Sequence, residues 1–281
     1  MIGSWLHAAV LARVNQDDLE AGLRALGLPA GAAVAVHTAM SAFGRVEGGP
    51  AAVVDALQAV IGPAGTILVP TMTWFTCYLS SPTPPYPLGV EPYDPHATLP
   101  DHNMGRVPIE VWRRPEAIRS RHPLMSVTAL GPLAADLAGD HPMADPLRPY
   151  RRLAAAGGWV LLIGVDHTRN TTIHAAEFSL NLPHLSGPAY ALVRDPAMPG
   201  RERVEMMPRE PDCSEGFNRL ARRIPTRERQ IGHALLWLCR GQDVMDATLS
   251  ALQADRTALL CDRPRCRTCA RGRKMYRRAT G

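Results

Sequence analysis

Short apolar runs alternate with amphipathic segments along residues 16–164, and this alternation restricts the fold more than any other feature of the sequence. The runs at 32–37 and 65–71 are apolar on both faces, as are strands buried between two layers of helices. Two more strand-like runs and four helical segments complete the pattern; the strands lie at 126–131 and 159–164, and the helices at 16–27, 48–62, 109–114 and 146–156. This order predicts an α/β fold of three layers, αβα, with a largely parallel central sheet.

The length of the chain limits the number of domains. Its 281 residues, 46% of them apolar, suffice for one large domain or two small ones with a buried core. We predict a single domain over residues 1–260 and a C-terminal helical, Cys-rich appendage that includes the Cys/Arg-rich tail at 261–281. No apolar run approaches the ~18 residues of a membrane span, and no basic cluster precedes the short apolar run at the N-terminus. We therefore expect a cytoplasmic protein that does not contact the membrane.

Three segments depart from the simple alternation. Residues 77–100 contain seven prolines, and a loop this long within a compact domain is usually functional or disordered. We interpret it as a surface flap over the edge of the sheet, with a passive insertion as the alternative. Residues 194–212 are predicted to be an irregular, charged connection. The segment Glu228–Ala254 is predicted to be helical, with Trp237 in the core.

The positive charge of the chain is concentrated in its last 21 residues. Residues 261–281 carry seven Arg and one Lys against one acid, a net charge of +7. The other 260 residues contain 23 basic and 25 acidic side chains, a net of −2, so that the whole chain has a formal charge of +5. The body is thus compatible with a cationic substrate. An Arg-rich, zinc-knuckle-like tail could contact RNA, but with only 5% aromatic residues the chain offers no stacking platform, which disfavours nucleic-acid binding.

The segment 36–53, VHTAMSAFGRVEGGPAAV, joins a strand end, a polar loop and a helix start with Gly48 and Gly49. In parallel α/β sheets, ligands bind at the carboxyl ends of strands, and a helix N-terminus offers unpaired N–H groups with partial positive charge. The segment is therefore a candidate site for an anion such as a pyrophosphate. Helix capping by the glycines is the alternative.

His174 and Glu177 lie in TTIHAAEF, after the strand predicted at 159–164. On a helix, residues at i and i+3 share one face, where a carboxylate can hold an imidazole in one tautomer. The pair therefore predicts a general base and its orienting acid. A structural ion pair is the alternative.

Another predicted strand ends in PTMTW, which contains Thr71, Thr73 and Trp74. Hydroxyl groups at this edge could donate hydrogen bonds to an oxyanion that develops in a transition state. Threonine is also common at strand ends without any such role.

Cys261, Cys266 and Cys269 place three thiols within nine residues. Because no export signal is evident, metal binding is favoured over disulfides. A structural zinc ion takes four N or S ligands, so we predict Cys213 as the fourth, with Cys239 or a histidine as alternatives. Three thiols without a metal remain the other interpretation.

Four motifs, in order, resemble the aminoglycoside 3-N-acetyltransferase family and together cover roughly residues 20–185. They are VHTAMSAFGRVEGGPAAVVDAL, GPAGTILVPTMTW, MGRVPIEVWRRPEAIRSRHPLMSVTALGP and WVLLIGVDHTRNTTIHAAEF. The resemblance implies an α/β fold and transfer of an acetyl group from acetyl-CoA to the 3-amino group of a 2-deoxystreptamine aminoglycoside, and hence antibiotic resistance.

The resemblance also implies roles for single residues. His174 and Glu177 match the family's catalytic pair, and the attacking amine adds directly to a thioester carbonyl held near Thr71 and Thr73, without a metal. The residues implied in coenzyme A binding are His37, Thr38, Ser41, Gly48, Gly49, Ser126 and Val127. Those implied or considered at the acceptor site are Thr73, Trp74, Asp101, Asp166, Asn170 and Glu177.

Three features depart from the pattern of the resistance enzymes. They are Asp101, the turn VDHTRN with Arg169 and His167, and the Cys-rich tail. The alternative function is therefore the same chemistry on a different small amine, such as a biosynthetic intermediate. The expected ligands in both cases are coenzyme A and an amine acceptor, and a homodimer is a further expectation.

Overall fold

The computed structural model describes residues 13–185, 187–195, 197–198, 200–208 and 213–279. The α-helices are α1 (Gln16–Leu26), α2 (Gly49–Ile61), α3 (Trp74–Cys77), α4 (Arg106–Trp112), α5 (Arg148–Ala155), α6 (Thr171–Ser179), α7 (Gly241–Ala254) and α8 (Arg267–Ala279). The strands are β1 (Arg13–Val14), β2 (Ala33–Thr38), β3 (Arg45–Val46), β4 (Thr66–Pro70), β5 (Tyr78–Leu79), β6 (Ile118–Arg119), β7 (Val127–Leu130), β8 (Trp159–Ile163), β9 (Pro188–Arg194), β10 (Glu202–Pro208), β11 (Thr226–Ile231) and β12 (Ala234–Arg240). Most of the segment used to judge export lies outside the described residues.

Seven strands form the central sheet, in the order β11-β12-β8-β2-β4-β7-β6. β2 pairs in parallel with β8 and with β4, while the other four pairings are antiparallel. The α/β class is confirmed, but the prediction of a largely parallel sheet is wrong. The β11–β12 hairpin joins one side of the parallel trio in the antiparallel sense, and β7 does the same on the other side.

Helices cover both faces of this sheet, so the molecule has three layers. α1, α2 and α4 pack on one face, and α5, α6 and α7 on the other. Local signals in the sequence fix α1: Asn15 Oδ1 accepts from the Asp18 N–H at 2.9 Å, the Asp18 carboxylate accepts from the Asn15 N–H at 3.0 Å, and the helix stops at Gly27 with φ of 85°.

The segment predicted to be helical at Glu228–Ala254 is helical only in its second half. Residues 226–240 form the β11–β12 hairpin, and α7 begins at Gly241. Burial alternates along β12, because Leu236 and Leu238 are fully buried while Leu235 is exposed. The apolar run ALLWLC conceals this period of two, and Trp237 packs partly buried from a strand.

A smaller sheet has the order β10-β9-β5. It includes part of the segment 194–212, which was predicted to be irregular: residues 202–208 form β10. The Pro-rich segment 77–100 is joined to the same sheet, since β5 pairs with β9 and Tyr93 forms a bridge to Val193. Residues 80–91 between these contacts are mostly exposed, so this part of the segment is a surface loop.

The tail helix α8 packs on the turn Pro183–Leu185, which follows α6. The Tyr276 hydroxyl lies 2.9 Å from His184 Nδ1, and Arg271 donates to the His184 carbonyl at 2.5 Å. Across the described ranges, no helix is both long enough and apolar enough to cross a bilayer.

Candidate active site

A cleft of about 880 Å³ opens where the parallel strands β2, β4 and β8 end. Its lining comes from residues within 37–41, 70–74, 103–108 and 165–174, together with Met125. Because ligands of α/β folds bind at the carboxyl ends of strands, this cleft is the candidate active site.

Of the predicted pair, His174 lines this cleft, while Glu177 is buried next to it and is not part of the lining. Asn170 caps the N-terminus of α6 by accepting from the Thr172 N–H at 3.1 Å, and the helix then places the pair three residues apart. His174 Nδ1 is 2.8 Å from Glu177 Oε2, and the two side chains are 14% and 6% exposed. With Nδ1–H donated to the carboxylate, Nε2 keeps its lone pair and can accept a proton.

The His174 ring is also held by a packing contact. Phe217, in a 3-10 turn at Phe217–Leu220, meets it edge-on with the ring centroids 4.6 Å apart. Phe217 is fully buried. The orientation of the imidazole is therefore fixed by a hydrogen bond on one atom and by packing on the ring.

His37 and Thr38, at the end of β2, line the cleft together with Ser41 and Trp74. Burial lowers the pKa of His37 to about 4, so its imidazole is neutral at pH 7. His37 Nε2 and Thr38 Oγ1 have no hydrogen-bond partner among the described residues. Buried polar atoms of this kind usually have a partner, which makes them candidates for contact with a ligand.

Thr71 and Thr73 are not oriented as predicted. The chain is extended after β4, so alternate residues point in opposite directions, and the cleft is lined by Pro70, Met72 and Trp74. Thr71 Oγ1 lies 3.1 Å from Thr128 Oγ1, and the Thr73 hydroxyl donates to the Pro123 carbonyl. Both hydroxyls are buried within the protein and do not line the cleft.

Ser126 and Val127 also do not line the cleft, although the preceding residue, Met125, does. The Ser126 hydroxyl donates to the Thr71 carbonyl, and Val127 is buried in β7. Arg119, which no sequence pattern singled out, donates to the same carbonyl at 2.6 Å. These residues shape the wall behind the cleft.

The remaining predicted polar residues hold the backbone in place. Asp101 accepts from the Phe75 N–H at 3.1 Å at the start of α3, and burial raises the pKa of its carboxyl group. Asp166 accepts from the Thr168 N–H at 2.9 Å and from Asn218 Nδ2 at 2.6 Å. It lines a smaller neighbouring cleft of about 450 Å³.

The two glycines proposed for the anion site do not reach the cleft either. Gly48 has φ of 76° and precedes α2, and Gly49 begins that helix. Their structure agrees with the capping alternative, since a left-handed residue at this position favours glycine.

Arg106 and Arg169 were not predicted as cleft residues, and Arg169 was only a departure from the family pattern. Both line the cleft with exposed side chains. Arg106 follows Gly105, whose φ is 86°. Their positions relative to the secondary structure could have indicated them. Arg169 lies in the loop after β8, and Arg106 begins α4, next to the edge of the sheet where the parallel strands end.

The structure brings together the four predicted metal ligands. The Sγ atoms of Cys213, Cys261, Cys266 and Cys269 all lie within 4.8 Å of one another. A tetrahedral zinc ion with Zn–S bonds of about 2.3 Å needs sulfur atoms about 3.8 Å apart, so the cluster fits the ion. Cys239 is buried in β12 beside the Val160 carbonyl and is not part of the cluster.

A cleft at the carboxyl ends of strands, lined by a histidine that is hydrogen-bonded to a buried carboxylate, is typical of α/β enzymes. The chain belongs to the aminoglycoside 3-N-acetyltransferase family, whose sequence profile it matches over residues 35–253.

Three similar proteins support the assignment. Aminoglycoside N(3)-acetyltransferase VIII of Streptomyces fradiae is 38% identical over 219 residues, which cover 72% of this chain and 73% of the relative. A mutant of aminoglycoside acetyltransferase AAC(3)-IVa in complex with a gentamicin superposes with a TM-score of 0.80 at 27% identity, over 94% of this chain and 98% of the other. The binary complex of AAC-IIIb with CoASH gives a TM-score of 0.77 at 26% identity, over 86% and 97%.

Proposed function

We propose that this protein transfers the acetyl group of acetyl-CoA to the 3-amino group of a 2-deoxystreptamine aminoglycoside. The observation that carries the proposal is the His174–Glu177 pair at the cleft of a family member. The similar proteins add support, since AAC-IIIb binds CoASH and the AAC(3)-IVa mutant binds a gentamicin.

The geometry suits a direct transfer between two bound substrates. His174 Nε2 accepts a proton from the amine as its nitrogen forms a bond to the thioester carbonyl carbon. The C–S bond of the resulting tetrahedral intermediate then breaks, and the sulfur leaves and takes the proton from His174. Glu177 stabilises the imidazolium that exists between these steps, as a buried carboxylate 2.8 Å away can. Most of the rate acceleration comes from holding the amine next to the thioester carbonyl in a reactive orientation.

A cysteine acyl-enzyme route has no support, because none of the described residues that line the cleft is a cysteine. Cys77 is the cysteine nearest the sequence motifs of the family, but it is fully buried and does not line the cleft. Burial raises the pKa of its thiol to about 11, which disfavours the thiolate that such a route needs.

Replacement of the proposed base tests the mechanism. We expect His174→Ala to lower kcat by about 10²–10⁴-fold, because proton transfer from the amine is lost, while the affinity for CoA stays within about twofold. Thiol release from acetyl-CoA gives the rate, and calorimetry gives the affinity. The matched control is His96→Ala, which changes an exposed histidine outside the cleft. Full activity of His174→Ala would remove the proposed base.

The acceptor is a separate question, because none of the described residues that line the cleft is Asp or Glu. This observation favours the second candidate, the same transfer to a small amine with little positive charge. A thiol-release assay of acetyl-CoA with a panel of aminoglycosides and small amines separates the two. Acetylation of aminoglycosides at the 3-amino group, located by NMR, supports the first, and turnover of small amines alone supports the second.

We further propose a structural zinc ion at Cys213, Cys261, Cys266 and Cys269. Four thiolates fill a tetrahedral shell and leave no open position, so the ion would stabilise the fold and take no part in acetyl transfer. We expect about one zinc per chain by elemental analysis, and its loss in Cys266→Ser/Cys269→Ser. Cys239→Ser, a matched thiol outside the cluster, should keep the metal. Metal-free protein from a preparation without chelator would contradict the proposal.

A further inference from the structure

The cleft carries an unbalanced positive charge. Arg106 and Arg169 line it with exposed side chains, and its described lining includes no carboxylate. Arg169 also borders the smaller neighbouring cleft, which Asp166 lines. Neither arginine forms an ion pair with any residue in the described ranges. In contrast, Arg114, just beyond the C-terminal end of α4, forms ion pairs with Asp55 at 2.8 Å and with Glu110 at 3.0 Å.

The carboxylates nearest to the cleft in sequence already have partners. Asp101 accepts from the backbone at the start of α3, Asp166 is bonded to Thr168 and Asn218, and Glu177 is bonded to His174. None of these bonds involves either arginine. Two guanidinium groups without a counter-ion at one cleft attract an anion, and their fork of N–H donors matches phosphate oxygens.

The two arginines come from different walls. Arg106 begins α4, beside the end of β2, where Gly105 approaches the Thr38 carbonyl. Arg169 ends the 3-10 turn His167–Arg169 that follows β8, five residues before His174. A ligand whose reactive group lies at His174 would therefore meet both guanidinium groups within the same cleft.

We infer that Arg106 and Arg169 bind the phosphate groups of the acetyl donor and so mark the nucleotide end of the cleft. The inference rests on the proposed function, in which the donor is acetyl-CoA. Its thioester reacts at His174, while its diphosphate and 3′-phosphate are the anions that the two guanidinium groups hold. The cationic acceptor is excluded from this end by charge and must approach His174 from another direction.

Binding of two ligands that differ in their phosphates tests the inference without any need for an acceptor. By calorimetry, we expect Arg106→Ala and Arg169→Ala each to weaken CoA binding by roughly tenfold or more, since a charge-assisted hydrogen bond is lost. Pantetheine, which has the thiol arm but no phosphate, should bind the wild type and both variants with equal Kd. Arg113→Ala is the control, because this exposed arginine lies just beyond α4 and outside the cleft.

Salt gives a second readout. We expect CoA binding by the wild type to weaken as ionic strength rises, and the double variant Arg106→Ala/Arg169→Ala to lose most of this dependence. Unchanged Kd for CoA in both variants, or an equal loss for CoA and pantetheine, would overturn the inference. A wild type that binds CoA through these arginines but releases no thiol with any amine would instead contradict the proposed function.

Discussion

Four buried histidines, His37, His122, His141 and His167, are held neutral inside this protein. Burial lowers the pKa of His37, His141 and His167 to about 4 and that of His122 well below its usual value. His122 and His141 also stack with their centroids 4.7 Å apart, so protonation of one disfavours protonation of the other. Each of the four costs free energy when it is charged in the folded state.

This burial makes stability depend on pH in a defined direction. Each histidine has a folded pKa below the unfolded value of about 6.5, so the unfolded chain binds more protons. The stabilisation is complete above pH 6.5, declines as the pH falls and is lost as the pH passes through about 4. We expect the free energy of unfolding in urea to fall between pH 7 and pH 5, and less steeply for His141→Gln than for wild type. His96→Gln, an exposed control, should keep the wild-type slope.

Single residues of the site could be predicted from the sequence only where local geometry decides their neighbours. The i, i+3 spacing sufficed for His174 and Glu177, because one helix carries both. The direction of Thr71 and Thr73 could not be predicted in this way. It depends on hydrogen bonds to Thr128 and Pro123, which are distant in sequence.

Elements were predictable where the hydrophobic period was clear and had signals at its ends, as for α1 and α2. The β11–β12 hairpin was missed because its inner strand is a continuous apolar run, in which periods of two and of 3.6 cannot be told apart. Because this hairpin adds to β8 in the antiparallel sense, the sheet also differs from the largely parallel one that the alternation of strands and helices predicts. Besides β11, β12 pairs with β8, which lies more than 70 residues earlier, and no local pattern in the sequence indicates that contact.

The 3-10 turn Phe217–Leu220 connects two functional parts of the molecule. It follows Cys213 of the thiol cluster by four residues, and Phe217 meets the His174 ring. We expect Phe217→Leu to lower kcat by roughly ten- to a hundredfold through a misplaced imidazole, with little change in the KM for acetyl-CoA. Steady-state kinetics measure both, and Phe217→Tyr, which keeps the ring, should retain more activity. A rise in KM with unchanged kcat would show that Phe217 acts on binding instead.

On the scale of the whole molecule, the tail is attached to the body at several points. Asp262 pairs with Arg219 at 2.6 Å, Arg263 pairs with Glu215 at 2.7 Å, and Tyr276 reaches His184. The sulfur cluster adds Cys213 from the body to three cysteines from the tail. The two ion pairs are largely exposed and contribute little. The buried attachments of the tail are the sulfur cluster and the packing of α8 on the turn Pro183–Leu185.

The proposed zinc ion predicts how the protein responds to a chelator. With zinc bound to the four cysteines, the metal would order the tail, while the central sheet has its own apolar clusters on both faces. A chelator should therefore release the tail and leave the body folded. Trypsin, which cleaves after Arg and Lys, should then cut within 263–277 at least tenfold faster, as mass spectrometry can show, while cleavage of the body is unchanged. Cys266→Ser/Cys269→Ser should behave like the chelated protein and Cys239→Ser like the untreated one. A tail that resists trypsin equally with and without chelator would mean that packing of α8 on the turn Pro183–Leu185 holds it without the metal.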